Sequence, residues 1–117
     1  MASKANKLLS IPYKLAKMIA DRKAVTALIP ILQEDDPAAR FYAAKALGNL
    51  KSQEAVKPLA ESLNDEEYSV RYMAVKALAN IGGSSAVDAL IDALKNDNEK
   101  VREMAANALG DLKDKKA

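Results

Sequence analysis

The chain contains no cysteine, no histidine and no tryptophan. The first absence removes disulfides and thiolate chemistry. The second removes the commonest neutral-pH base and the commonest transition-metal ligand, so catalysis and metal binding lose their usual residues. Aromatics are scarce, one phenylalanine and four tyrosines in 117 residues, which argues against a sheet protein. No apolar run approaches the ~18 residues that span a bilayer. The amino-terminal lysines are followed by no unbroken apolar core and no small-residue cleavage site, so no secretory signal is expected. A soluble, cytoplasmic protein is the expectation.

What remains is alanine and leucine, in a chain that is half apolar and long enough for one domain. Such a composition suits helices whose backbones approach closely. Residues 36–66 and 67–97 are two copies of one unit, offset by 31 residues without a gap. Arg40 falls on Arg71, Ala43 on Ala74, and Ala46 and Leu47 on Ala77 and Leu78. Ala55 and Val56 fall on Ala86 and Val87, Leu59 on Leu90 and Leu63 on Leu94. A fixed period of this size predicts a stacked helical repeat.

Each unit reads as two helices. In 37–50, Phe41, Ala43, Ala44, Ala46, Leu47 and Leu50 keep helical spacing. Asp36 is the expected N-cap and Pro37 suits the first helical position. Ser52 is expected to cap a second helix over 53–63, with Val56, Leu59, Ala60 and Leu63 on one stripe. The next copy places Glu67 at the cap position and Gly82 and Gly83 at the break. Ser84 or Ser85 then starts a helix with Val87, Leu90, Ile91 and Leu94 inward. Asn98 begins a half repeat over 98–112, and 113–117 is a charged tail. Upstream, Ala24, Val25, Leu28, Ile29 and Leu32 repeat the second helix over 21–35, with Asp21 as its cap. Residues 1–20 read as a divergent capping helix. The expected fold is all-α, a right-handed superhelix of about seven helices in three-and-a-half repeats, one domain over 1–117.

Arg40, Ala43, Ala46 and Leu47, followed by Ala55, Val56, Leu59 and Leu63, resemble the HEAT repeat in its short prokaryotic subtype named for phycobilisome lyases. The likeness covers 21–112. It implies that second helices line a concave face and that the recurring arginine ties successive units together. Arg40, Arg71 and Arg102 are therefore read as a structural ladder pairing with Asp36, Asp65, Glu67 or Asp97, in preference to a phosphate-binding row.

On the concave face the outward positions are Thr26, Pro30, Lys57, Pro58, Glu61, Asp88 and Asp92, small, polar and weakly acidic. They are the candidate site for a partner protein or peptide. Asp88 and Asp92 lie one turn apart, but with no histidine, nucleophile or glycine-rich phosphate loop no catalytic, cofactor or metal site is assigned. Phe41 and Tyr72, beside Lys45 and Lys76, mark a small convex patch, read as half-buried edge aromatics. Met104, Leu109 and Leu112 put an apolar stripe on the last helix where solenoids usually finish with a polar cap, so self-association there, a homodimer, is expected.

Charge is uneven. Residues 1–23 carry six basic groups against Asp21, whereas residues 24–110 carry nine basic and thirteen acidic groups, a net of −4. A basic amino-terminal segment offers nucleic-acid or phosphate binding as the alternative function, and an accessory role in a bilin-lyase-like enzyme as a second. A non-enzymatic protein-interaction scaffold is the preferred expectation.

Overall fold

The computed structural model describes residues 12–116, which form six α-helices joined by short turns, with no strand among them. Helix α1 (Tyr13–Leu28) runs into a 3-10 segment (Ile29–Gln33). Helix α2 (Pro37–Leu50) precedes a 3-10 turn (Gln53–Ala55) and α3 (Val56–Ser62). Helices α4 (Tyr68–Ile81) and α5 (Gly83–Ala93) form the next pair, and α6 (Glu99–Lys116) follows.

Helices α2, α4 and α6 stack side by side as one layer. The Ile29–Gln33 segment, α3 and α5 form the second. The result is an α-α superhelix measuring 64 × 40 × 16 Å, with a radius of gyration of 16.9 Å. A compact globule of this length would have about 13 Å. Fully buried Leu47, Leu59, Leu78, Leu90, Val70 and Val101 fill the space between layers. Ala43, Ala74 and Ala105, one per unit, are buried where the first helices meet.

The caps show where local chemistry decided the boundaries. Asp36 accepts from the Ala38 amide at 3.0 Å and Pro37 opens α2. Ser52 accepts from Glu54 N, and Asn98 accepts from Lys100 N and Val101 N. Glu67, expected to cap α4, makes no side-chain cap bond. Its own amide is taken by Asp65 Oδ1 at 2.9 Å, because the shorter side chain two residues back forms the tighter turn. Helix α5 starts at Gly83 rather than at Ser84 or Ser85, since Gly82 at φ 65° already turns the chain.

Two further expectations are corrected. Asp21 does not begin a helix: α1 passes through it, and its carboxylate meets Lys17 Nζ one turn back at 2.7 Å. No proline or glycine interrupts 13–28, so the break comes only at Pro30, where the helix tightens into its 3-10 turn. The expected separation of 1–20 from 21–35 thus falls inside one helix, and the part of that capping segment before residue 12 lies outside the described residues. Ile91 and Leu94, expected inward, are exposed. Leu63, the counterpart of Leu94, is only 4% exposed because α5 stacks over α3, whereas no described second helix covers α5.

Candidate partner-binding surface

The arginine row sits at the junctions between units. Arg40 Nε and Nη2 donate to Asp65 Oδ2 and Oδ1 at 2.8 and 3.1 Å, a two-pronged fork. Its Nη1 donates to the Glu34 and Asp35 carbonyls at 2.8 and 2.9 Å. One guanidinium thereby joins the turn before α2 to the turn before α4. The Asp65 hydrogen bond holds Arg40 above the ordinary arginine pKa against the opposing effect of burial. Four of its five N–H groups are engaged, and the fifth, on Nη2, points near Glu66 at 3.8 Å, so Arg40 has at most one donor left for a phosphate.

The row does not repeat this pattern. Arg71 Nη1 reaches the Asp65 carbonyl at 2.8 Å, but its buried Nε meets no acceptor. One period after Asp65 stands Asn96, whose Oδ1 takes the Asn98 amide and whose Nδ2 donates to Asn64 at 3.0 Å. Arg102 Nη1 donates to the carbonyls of Asn96 and Asp97. Among the described residues only Arg40 of the three has a carboxylate partner.

Thr26, Pro30, Lys57, Glu61, Asp88 and Asp92 are exposed and Pro58 is half-buried. Thr26 Oγ1 is occupied with the Arg22 carbonyl, and the Pro58 carbonyl with Ser62 Oγ. Asp88 and Asp92 belong to no cluster of three potential metal ligands among the described residues. None of these seven concave-face candidates lines the groove described next. Met104, Leu109 and Leu112 are half-buried and packed against the core. The large apolar side chains left open near that end are Ile91 and Leu94.

A groove of ≈ 900 Å³ crosses the carboxyl-terminal halves of α2, α4 and α6, on the layer opposite the concave candidates. Lys45, Lys51 and Lys76 border it with Tyr72, Asn49, Asn80 and Asn107, and Met73 and Met104 contribute apolar surface. Lys76 Nζ lies 5.5 Å from the centre of the Tyr72 ring, within cation–π range, and Tyr72 stacks on Tyr68 at 6.3 Å. Tyr42, Tyr68 and Tyr72 are all exposed. At the groove's edge Lys51 ends α2 in the left-handed conformation, φ 55°. Lys45, Lys76 and Tyr72 carried a visible sequence signal, a basic residue and an aromatic recurring one period apart. Lys51 and the three asparagines were missed. Asn49 and Asn80 do stand one period apart, a signal on the outer face of the first helices, whereas Lys51 falls on Gly82 and Asn107 on Lys76, so those two carried none.

No described helix is long and apolar enough to cross a membrane. No curated protein matches the chain. Among solved structures, it is similar to an engineered protein from the Northeast Structural Genomics Consortium, with 30% identity and a TM-score of 0.57. The match covers 88% of this chain and 51% of that one, so the chain spans about half the length of its engineered relative. The family model described as HEAT repeats matches twice, over residues 13–71 and 56–117. Together these matches run the length of a backbone built from helix pairs at a 31-residue period, and the chain belongs to the HEAT-repeat family.

Proposed function

We propose that the protein is a non-enzymatic protein-binding module, a scaffold or adaptor working in the cytoplasm, of the short prokaryotic HEAT subtype. The observation that carries this is the groove across α2, α4 and α6. It is an open trough whose tyrosine and methionines are side chains enriched where proteins meet, bordered by lysines and asparagines. HEAT repeats in general mediate protein–protein interaction, which supports the same class of function. The concave set Thr26, Pro30, Lys57, Pro58, Glu61, Asp88 and Asp92 is the competing docking face. Self-association through the last helix is a further option, to be sought at Ile91 and Leu94 as well as at Met104, Leu109 and Leu112.

Nucleic-acid binding by the basic amino-terminal segment has weaker support. Lys17 is held by Asp21, and Arg22 lies 3.5 Å from Glu54, so two of the four cations described there already face carboxylates. No feature favours a bilin-lyase role. The test is affinity capture with the parent chain and with Tyr72→Ala/Lys76→Ala as bait, read by mass spectrometry. Proteins kept by the parent and lost by the variant are the expected result. Identical protein sets from both baits, or recovery of nucleic acid alone, would count against it.

A further inference from the structure

Resting on the protein-binding reading, we propose that the groove over α2, α4 and α6 takes an acidic segment of a partner protein. Its carboxylates would meet Lys45, Lys51 and Lys76, and its apolar side chains Tyr72 and Met73. Charge is the first ground. Arg40, Lys17, Arg22 and Lys100 face Asp65, Asp21, Glu54 and Glu103, while Lys23, Lys57 and Lys95 stand apart from any carboxylate among the described residues but border no common groove. Lys45, Lys51 and Lys76 have no carboxylate within ion-pair distance among the described residues, although residues 24–110 carry an excess of acid. Three unmatched cations beside one groove, against a single groove aspartate, Asp111, leave it attractive to anions.

Backbone strain is the second ground, and it is independent. Lys51 ends α2 in the left-handed conformation, φ 55° and ψ 35°, where the next unit has Gly82 in a different turn, φ 65° and ψ −164°. A lysine tolerates that conformation less well than glycine, and such outliers concentrate where a side chain is used. The opposite face supplies discrimination. Glu61, Asp88 and Asp92 repel the same segment, so an acidic partner is directed to one side of the stack.

The test titrates the full chain into a short fluorescein-labelled peptide of glutamate and leucine, followed by anisotropy. Its lysine counterpart and a single-stranded oligonucleotide serve as controls. The acidic peptide is expected to bind. Lys45→Glu/Lys76→Glu should weaken it by roughly tenfold or more, and Asp88→Lys/Asp92→Lys should not weaken it. Lys51→Gly should weaken binding without lowering the melting temperature, a combination that a merely structural lysine would not give. Equal affinity of the parent and Lys45→Glu/Lys76→Glu, or failure of the acidic peptide to bind, overturns the assignment. If the lysine peptide then binds and Asp88→Lys/Asp92→Lys abolishes it, the protein-binding reading survives on the concave face. If only the oligonucleotide binds, both fall.

Discussion

At Gly48 the junction between α2 and α4 is so close that an added Cβ would stand 2.8 Å from Ala77 Cα. One unit on, the same position is Ala79, and α4 and α6 pack less extensively, with the groove opening over them. The charges change in parallel. The first junction has the Arg40–Asp65 fork; at the second the equivalent of Asp65 is Asn96, which bonds Asn64, and Arg71 Nε has no acceptor. One template thus gives a closed junction and an open one. Among the differences between them are one methyl group, Ala79 for Gly48, and one carboxylate, Asp65 for Asn96. Repetition of sequence secures the stacking, and small departures from it decide how tightly each layer closes.

Equivalent leucines should show the largest contrast. Leu63→Ala, beneath α5, is expected to cost about 2–5 kcal/mol, while Leu94→Ala at 40% exposure costs less than about 1 kcal/mol, both by chemical denaturation. Equal costs would mean that the two edges are covered alike. Glycine gives the next test. Gly48→Ala forces backbone apart and should destabilise by about 1–3 kcal/mol, whereas Gly110→Ala meets open space and should gain up to about 1 kcal/mol in helix propensity.

Exchanging the junction charges sharpens the comparison further. Asp65→Asn should make the first junction resemble the second and lower the melting temperature. Asn96→Asp should give Arg71 its missing acceptor and add about 1 kcal/mol. The Arg40 pKa is raised, so its contribution is complete below the ordinary arginine value and is lost only as pH climbs through the higher folded one. Melting across the neutral range should therefore register no deprotonation of Arg40. Smallest is Lys51→Gly, expected to raise stability by about 0.5–1 kcal/mol because glycine suits the left-handed turn. A loss of stability would place Lys51 among the structural residues.

The stack was legible because its causes are local and repeated. Ala43, Ala74 and Ala105 recur at the one spacing that lets helices meet, and Asp36 with Pro37 announces a helix start. Departures were harder to read. Whether Leu94 is covered depends on a neighbour that its own spacing cannot reveal. Glu67 stands at the cap position of α4, yet its side chain makes no cap bond, and the turn there is instead fixed by Asp65, which accepts from the Glu67 amide. The arginine row was visible at once, but its carboxylate partner is a single position 25 residues distant, and only Asp65, not Asn96, supplies it. The groove escaped notice because a trough is made by three helices together, and no one of them carries its signature.

The first two turns of α1 leave every side chain from Tyr13 to Ala20 exposed, and Val25 is the helix's one buried residue. Among the described residues those turns are therefore held by their own backbone and by Lys17 with Asp21, with no tertiary layer beneath them. Trypsin would find Lys14 and Lys17 on a stretch that can unwind without disturbing any stacked pair. The line between what can be trimmed and what cannot thus runs through the middle of a single unbroken helix.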